Sequence, residues 1–526
     1  MPALRATAAT AAKAAPRRLL LASSWFCTST SARQQKQKQQ QEQEQYDPTR
    51  LLPRQYLRDA DPSNYDAATY QRKDVMYDHC SGRPILTNRN TEVKCKKKYQ
   101  VLSWRHVDRS DDGLGGERVE ITWADDAVTT YPTTWLKEQI RLYHRGDGRP
   151  SVPDAPSSLP IAIQRIPWIN VTEDDVRAPD SDMVLSFEEL IFGRTAGDKS
   201  MKESNEAAMN EGMDRAIEAL YKYGFLLVTD TPVDDGGTGV AALSAALSGG
   251  DIKTSKNVSL LARYRESVHA QEDEKDPVTV LPDGTDGPLR SLYGNVWSTH
   301  STAMAEGASQ ADSAYSNDGL PLHTDMTYFR DPPGLQIFAV KQPAAIGGES
   351  IFADGFAVAE RLRLENSQAF DLLCKTNRRY RSLDTVTGWH LEGQGPVISA
   401  VDRGHTLPPE LRWGAITQIR HNALDRLPDL PPLAADGSGA PMEEAEVDKW
   451  YSDLNAAHRE WDALLASDEF RLVMQLAPGD TVVVANQRCL HGRQQFDKTA
   501  RIVMGCYVSQ EDVDSRFRRA GYQLPG

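Results

Sequence analysis

The second half of the chain contains short apolar stretches rich in β-branched residues, each bounded by proline, glycine or aspartate. Stretches of this length and composition are typical of buried β-strands. They are LQIFAV at 335–340, SIFADG at 350–355, AITQIR at 415–420, TVVVAN at 481–486 and IVMGCYV at 502–508. Segments with helical spacing lie among them, one ending at Gly224 and another covering 446–467. The pattern predicts a mainly β fold with added helices.

A second β pattern precedes this region. Apolar and polar residues alternate in YQVLSW at 99–104, RVEITW at 118–123 and AVTTYP at 127–132. Period-two alternation predicts a small N-terminal β domain, which we place at 46–150. A proline-rich stretch at 149–160 follows. We therefore expect a linker at 151–190 and the main domain at 191–526.

The first 45 residues differ from the rest in composition. Residues 1–41 carry seven Lys or Arg and no Asp or Glu, which is typical of a mitochondrial presequence. A secretory signal is the alternative, but Ser23 and Ser24 interrupt its apolar run. Residues 34–45 are a polar, glutamine-rich segment too poor in apolar residues to join a core. We expect residues 1–45 to be a presequence and a disordered junction, and the protein to reside in the mitochondrial matrix.

The charge of the chain limits its partners. The formal net charge is -14, and it changes to -21 without residues 1–41. An acidic protein repels phosphate backbones and anionic lipid, so neither nucleic acid nor a membrane is an expected partner. A cationic small molecule fits better. The six cysteines are not closely paired, which favours free thiols over a disulfide framework.

The segment LPLHTDMTYFRDPPGLQ at 320–336 contains a potential metal site. In an extended strand, residues i and i+2 point to the same face, so His323 and Asp325 can share one ion. His491, after the turn and strand of APGDTVVVAN, is the candidate third ligand. Two histidines and one carboxylate form the facial arrangement of non-haem Fe(II) sites. By itself His-x-Asp is also compatible with a surface hydrogen-bonded pair.

Four ordered motifs carry a resemblance to a known family: HTDMTYFRDPPGLQIF, GGESIFADGF, NQRCLHGR and RIVMGCY. In these motifs the chain resembles the Fe(II)- and 2-oxoglutarate-dependent oxygenases that include taurine dioxygenase, the TauD/TfdA-like family. It is more closely similar to the branch of trimethyllysine dioxygenase and γ-butyrobetaine dioxygenase. The similarity runs from about 215 to 525.

The resemblance implies a double-stranded β-helix, or jelly roll, with Fe(II) bound by His323, Asp325 and His491. It also implies 2-oxoglutarate as co-substrate, O2, and ascorbate as reductant. An arginine after the distal histidine should bind the remote carboxylate of 2-oxoglutarate, and a guanidinium can do so through two hydrogen bonds. Arg501 is the candidate for this role. Arg493 is the alternative, although its position favours support of the local turn.

The resemblance further implies an aromatic cage for a trimethylammonium group, because cation–π attraction is the usual way to bind such a group. Asp312 matches an acidic position of the trimethyllysine branch, and Asn422 resembles an asparagine that contacts the other end of the substrate. The alternatives are ordinary core aromatics and, for Asn422, a turn residue. The cage residues are Tyr293, Trp297, Tyr315 and Tyr507.

The N-terminal region departs from the family pattern. YLRDADPSNYDAATYQRK lacks the cysteines that build a zinc site there, so a structural zinc is not expected. His79, Cys80, Cys95 and His106 do not have the spacing of a recognised finger. The extra stretch at 298–310 lies between cage residues and could reshape the pocket. A homodimer is an expectation of the resemblance alone.

These observations predict a dioxygenase that hydroxylates Nε-trimethyllysine at carbon 3, in carnitine biosynthesis. γ-Butyrobetaine dioxygenase and another TauD-like small-molecule oxygenase are the alternatives within the enzyme class. A non-catalytic binding module of the same fold is the alternative outside it. Retention of all four residues His323, Asp325, His491 and Arg501 argues against the binding module.

Overall fold

The computed structural model describes residues 47–64, 100–109, 116–145, 164–193, 206–248, 296–299, 317–384, 388–433, 441–497, 501–522 and 524. These residues fall into two compact units. The smaller comprises 47–59, 100–104 and 121–128, and the larger comprises the remainder. The predicted presequence and polar junction at 1–45 lie outside the described residues.

The strands of the described residues, numbered in chain order, are β1 (Val101–Arg109), β2 (Gly116–Trp123), β3 (Val128–Pro132), β4 (Val184–Ser186), β5 (Phe225–Thr229), β6 (Val296–Ser298), β7 (Leu320–His323), β8 (Leu335–Gln342), β9 (Ser350–Asp354), β10 (Arg378–Asp384), β11 (Trp389–Gly395), β12 (Ile398–Asp402), β13 (Trp413–Ile419), β14 (Leu472–Met474), β15 (Thr481–Ala485), β16 (Cys489–Arg493) and β17 (Ile502–Val508).

The helices are α1 (Pro48–Leu51), α2 (Arg54–Asp59), α3 (Thr133–Arg145), α4 (Glu173–Arg177), α5 (Phe187–Phe192), α6 (Glu206–Tyr223), α7 (Thr238–Leu247), α8 (Gly355–Glu365), α9 (Ser367–Lys375), α10 (Pro409–Arg412), α11 (Glu444–Ala466) and α12 (Gln510–Arg519).

The predicted N-terminal strands form a three-stranded sheet in the order β1-β2-β3. Within the smaller unit, Leu57 and Trp123 are fully buried. The guanidinium of Arg58 lies over the Trp123 ring, 5.3 Å from its centroid, and donates to Asp125 at 3.1 Å. The three predicted strands are therefore present, together with the helices α1, α2 and α3, and the extent of the N-terminal domain stays a prediction.

The larger unit contains two sheets that pack face to face. One has six strands in the order β4-β5-β15-β8-β17-β6, and the other has four in the order β14-β9-β16-β7. Phe225 and Phe338 of the first sheet contact Phe352 of the second, with ring centroids 5.1 and 6.2 Å apart. The apolar layer between the two sheets, whose strands pair antiparallel except for β4 with β5, is the core of a jelly roll, so the predicted fold class is confirmed.

Helices cover the outer faces of both sheets. Because side chains alternate along a strand, β8 directs Leu335, Ile337 and Ala339 outward to a core formed with α5, α6, α7 and α12. The intervening Phe338 and Val340 join the inner layer. On the four-stranded sheet, Ala353 and Leu490 pack outward against α8, α9 and α11. Side chains that point inward from the two sheets are therefore the ones that can supply a site between them.

Two parts of the sequence prediction differ from the structure. Residues 164–190, expected to belong to a linker, include α4 and β4, and β4 pairs in parallel with β5 of the six-stranded sheet. The apolar run VLSFEELIF at 184–192 explains this placement, since Leu185, Leu190 and Ile191 are buried in the outer core. The stretch AITQIR lies in β13, which forms a separate two-stranded sheet with β12. The predicted boundary at 150 falls outside the described residues and stays a prediction.

The turn at Gly224 requires glycine. Its φ of +68° lies in the left-handed region, and a Cβ there would come within 2.7 Å of Cδ of Arg488. The helix α6 therefore ends where the sequence predicts, and β5 begins at the next residue.

Candidate metal centre

Two neighbouring strands of the four-stranded sheet bring the predicted histidines together. His491 of β16 and His323 of β7 are directly opposite in the antiparallel register, and their ring centroids are 4.4 Å apart. The third residue, Asp325, lies beyond the end of β7, in the turn at 325–328. The extended His-x-Asp geometry expected from the sequence is therefore replaced by a strand end and a turn, in which Met326 has a φ of +55°.

The three side chains converge. One ligand atom from each of His323, Asp325 and His491 lies within 4.8 Å of the others. Oδ1 of Asp325 is 3.3 Å from Nε2 of His323 and 3.7 Å from Nε2 of His491. Separations of this size suit ligands that are each about 2.1 Å from one shared ion. Among the residues that the structure describes, this is the one cluster of histidine, cysteine and acidic groups able to hold a metal.

The hydrogen bonding and charges of the cluster suit metal binding. Nδ1 of His323 is 2.8 Å from the carbonyl of Pro321, and donation there leaves Nε2 free to ligate. Burial acts to raise the pKa of Asp325, but the two histidines and a hydrogen bond from Tyr507 outweigh it, so the pKa lies well below its ordinary value. Burial lowers the pKa of His491 to about 4, which keeps this imidazole neutral. For His323 burial acts in the same direction, but Asp325 outweighs it and the pKa is raised.

Three further residues contact Asp325, and of these the sequence singled out only Tyr507, for a different role. Asn486 accepts from the Asp325 backbone N–H at 2.7 Å and donates to its carbonyl at 3.1 Å. Gln336 donates through Nε2 to Oδ2 of Asp325, and Tyr507 donates its hydroxyl to the same oxygen at 2.8 Å. The available signal was the polar Gln336 among the apolar residues at 335–340, at an inward position of β8.

Two arginines, Arg493 buried and Arg501 partly buried, flank Phe496. The guanidinium carbon of Arg493 is 4.8 Å from the ring centroid and that of Arg501 is 6.0 Å away. Arg493 donates to the carbonyl of Asp318 at 2.8 Å, consistent with support of the local chain. Within the described part of the chain, Arg501 forms no ion pair with an acidic side chain. Burial, followed by repulsion from Arg493, lowers its pKa to about 10. A partly buried cation in this state favours an anionic ligand.

The described cage candidates are Trp297 and Tyr507, whose ring centroids are 6.4 Å apart. Trp297 lies on β6, directly opposite Gly505 of β17. A Cβ on Gly505 would come within 2.4 Å of the indole ring, so the glycine makes room for it. Tyr293, Tyr315 and Asp312 lie outside the described residues.

Asn422 is engaged locally. Its side chain donates to Asp425 at 2.9 Å and accepts from the backbone N–H of Leu424 at 2.9 Å. These contacts are those of the turn residue considered as the alternative, and Asp425 in turn accepts from Thr327 at 3.0 Å. A substrate contact from Asn422 stays a prediction.

Nδ1 of His106 in the N-terminal region lies 3.1 Å from Oε1 of Glu117. The other three residues weighed for a substitute zinc site, His79, Cys80 and Cys95, lie outside the described residues. Over the residues that are described, no helix is both long and apolar enough to cross a bilayer.

Comparison with known proteins places this geometry in a family. The model of the family described as taurine catabolism dioxygenase TauD, TfdA family matches residues 198–507, more than half of the chain. The chain belongs to the TauD/TfdA dioxygenase family. The predicted family is therefore confirmed, and the match includes both histidines, Asp325 and Arg501.

Several of the similar proteins are named trimethyllysine dioxygenases. Mitochondrial trimethyllysine dioxygenase of Gallus gallus is 30% identical over 251 residues, covering 47% of this chain and 53% of the relative. The Homo sapiens protein of that name is 30% identical over 236 residues, covering 44% and 49%. Trimethyllysine dioxygenase of Neurospora crassa is 31% identical over 249 residues, covering 40% and 47%. The chain spans about half the length of these relatives.

Solved structures with a similar chain path include an asparagine oxygenase, with 14% identity and a TM-score of 0.34, covering 63% of this chain and 94% of that one. The PvcB protein of Pseudomonas aeruginosa has 15% identity and a TM-score of 0.31, covering 56% of this chain and 79% of that one.

Proposed function

We propose that the protein is an Fe(II)- and 2-oxoglutarate-dependent dioxygenase that hydroxylates a trimethylammonium substrate, Nε-trimethyllysine at carbon 3. The observation that carries the proposal is the convergence of His323, Asp325 and His491 in a chain of the TauD/TfdA family. Two imidazoles and one carboxylate fit Fe(II) and leave coordination positions for a co-substrate and O2. When bound, the iron supplies the oxidising chemistry that protein side chains lack.

The residues of the chain do the binding and orienting. His323 and His491 would ligate through Nε2, and Asp325 through Oδ1, which already faces both rings. Arg501 would bind the remote carboxylate of 2-oxoglutarate, because its partly buried charge has no acidic partner among the described residues. A carboxylate there would also offset the repulsion between Arg501 and Arg493.

Trp297 and Tyr507 support the substrate class. A quaternary ammonium offers no hydrogen bond, so its recognition depends on aromatic faces. The 6.4 Å separation of these two rings makes them candidates for two walls of a cage. Several relatives are named trimethyllysine dioxygenases, and these names support Nε-trimethyllysine rather than γ-butyrobetaine as the proposed substrate. The Gallus gallus and Homo sapiens relatives are named as mitochondrial, which together with the acid-free N-terminus supports a matrix enzyme of carnitine biosynthesis.

The test measures succinate formed from 2-oxoglutarate with Fe(II) and each candidate substrate. Nε-trimethyllysine should stimulate turnover more than γ-butyrobetaine or unmethylated lysine. Trp297→Leu should reduce the preference for the methylated form by roughly 30-fold, since a desolvated cation–π contact contributes about 2 kcal/mol. Trp389→Leu, at a partly exposed position of β11, is the matched control and should keep the preference.

The same assay tests the metal site. His323→Ala should abolish succinate formation, whereas His390→Ala, at an exposed histidine of β11, should not. Turnover by His323→Ala at the wild-type rate would contradict the metal assignment. Stronger stimulation by γ-butyrobetaine than by Nε-trimethyllysine would make γ-butyrobetaine the proposed substrate. Equal rates with and without each of the three amines would contradict the proposal of a trimethylammonium substrate.

A further inference from the structure

The carboxylate of Asp325 is contacted differently at its two oxygens. Oδ1 faces the histidines, 3.3 Å from Nε2 of His323 and 3.7 Å from Nε2 of His491. Oδ2 accepts two hydrogen bonds, one from Gln336 and one from the hydroxyl of Tyr507 at 2.8 Å. The carboxylate thus presents one oxygen to the candidate metal position and the other to the six-stranded sheet.

The two donors form a cross-strand pair. Tyr507 of β17 and Gln336 of β8 are directly opposite in the antiparallel register, so their side chains emerge on the same inner face. Both are buried, each with 4% exposure. A pair fixed by sheet register holds its donors more rigidly than loop residues do, which is the requirement for orienting a ligand. Asn486 fixes the Asp325 backbone by accepting from its N–H and donating to its carbonyl.

Gln336 is not placed there by packing alone. Its Oε1 is buried and has no hydrogen-bond partner within the described part of the chain. An orphaned buried acceptor destabilises a fold, and an apolar residue of similar size would remove that penalty. The amide therefore costs stability at this position, while its Nε2 donates to Asp325.

We propose that Gln336 and Tyr507 are a positioning pair that holds Oδ2 of Asp325, so that Oδ1 alone is offered to the metal. The inference rests on the proposed Fe(II) site and assigns a role to this chain's own residues within it. Holding one oxygen back favours single-oxygen ligation and keeps positions open for the co-substrate. Tyr507, predicted from the sequence as a cage residue, then has its hydroxyl committed to Asp325, and only its ring is available to a substrate.

Metal affinity without substrate tests this role. Mn(II) is the probe, titrated by electron paramagnetic resonance into wild-type protein, Tyr507→Phe and Gln336→Leu. Loss of a hydrogen bond to a metal ligand weakens metal binding by about 10- to 100-fold. We expect each variant to bind Mn(II) at least about tenfold more weakly. Gln336→Leu should resist urea unfolding at least as well as the wild type, which separates positioning from a structural role.

Tyr380→Phe is the matched control. It also removes a tyrosine hydroxyl from the buried cluster that contains Tyr507. The Tyr380 hydroxyl, however, donates at 2.8 Å to the carbonyl of Arg420 and not to Asp325. Tyr380→Phe should bind Mn(II) within about twofold of the wild type. Tyr507→Phe keeps its ring, so its preference for Nε-trimethyllysine over lysine should also stay within about threefold.

The outcomes separate this inference from the proposed function. Wild-type Mn(II) affinity in both Tyr507→Phe and Gln336→Leu would overturn the positioning role and leave the metal site intact. If Tyr507→Phe keeps its metal affinity but loses the substrate preference, the Tyr507 hydroxyl acts in substrate recognition and not in positioning Asp325. A wild-type protein that binds no Mn(II) would overturn both.

Discussion

Arg488 is buried and Arg501 partly buried in the larger unit, and their surroundings differ. Arg488 forms a bidentate pair with Asp354, with contacts of 3.1 and 2.8 Å, and donates to the carbonyls of Lys222 and Ile166. Arg501 has no acidic partner in the described part of the chain, and Arg493 repels it. The charge of Arg488 is therefore paired by an acidic side chain within the protein, whereas that of Arg501 is not paired by any acidic side chain among the described residues. The comparison separates an arginine that stabilises the fold from one available for binding.

The largest effect, a loss of unfolding free energy, is expected at the buried pair of Arg488 and Asp354. Arg488→Met leaves Asp354 buried without its cation, and breaking a buried pair in this way costs about 3–5 kcal/mol of unfolding free energy. Urea denaturation measures this loss. The partly exposed pair of Arg361 and Glu469, 2.6 Å apart, provides the control, because Arg361→Met should cost much less than Arg488→Met. Equal losses in the two variants would remove the distinction between buried and exposed pairs.

A further variant refines this result. Arg488→Met combined with Asp354→Asn removes both charges, so it should recover part of the stability lost in the single variant. The recovery should be incomplete, because Asp354 accepts a backbone N–H at each oxygen, from Phe356 at 3.0 Å and from Trp168 at 3.1 Å, and asparagine has only one acceptor oxygen. A double variant no more stable than Arg488→Met would show that the cost does not come from the unpaired carboxylate.

Unlike Arg488→Met, Arg501→Met should lower ligand affinity and not stability. The unfolding free energy should stay the same or rise, since the variant removes a desolvated charge with no acidic partner among the described residues. Affinity for 2-oxoglutarate should fall roughly 10- to 100-fold, because a hydrogen bond to a charged group contributes about 1.5–3 kcal/mol. Isothermal titration with Mn(II) present measures the binding. Arg493→Met should change that affinity less than about threefold, and a larger loss there would transfer the role to Arg493.

Arg501→Lys should give the smallest effect of the series. Lysine keeps the charge but lacks the planar fork that binds a carboxylate through two hydrogen bonds. We expect 2-oxoglutarate affinity between those of the wild type and Arg501→Met, with a loss of about tenfold or less. A loss as large as that of Arg501→Met would show that geometry matters more than charge, and an unchanged affinity would show the reverse.

The sequence predicts the parts of the molecule that local patterns encode. β-Branched stretches locate β8, β9, β15 and β17, and the spaced motifs bring His323, Asp325 and His491 together as candidates. The integration of β4 into the sheet escapes prediction, because proline-rich composition nearby suggests a linker. The strand pairing that places β4 beside β5 is set by distant residues.

The roles of Gln336 and Tyr507 show the same limit within the site. Both lie in stretches that the sequence identifies as strands, yet their shared contact with Asp325 depends on the register of β8 against β17. Register is a property of the assembled sheet, so neither hydrogen bond can be inferred from spacing along the chain. Asn422 illustrates the converse, since its contacts are to residues within three positions and its turn role was foreseeable.

The most direct test of the account is an anaerobic titration of the Fe(II)-loaded protein with 2-oxoglutarate, following the visible absorbance of the resulting complex. Saturable binding should appear in the wild type, require at least about tenfold more 2-oxoglutarate in Arg501→Met, and be absent in His323→Ala. His390→Ala should match the wild type. An absorbance change that is the same in wild type and His323→Ala, or none in the wild type, would contradict the assignment of His323, Asp325 and His491 as the iron site.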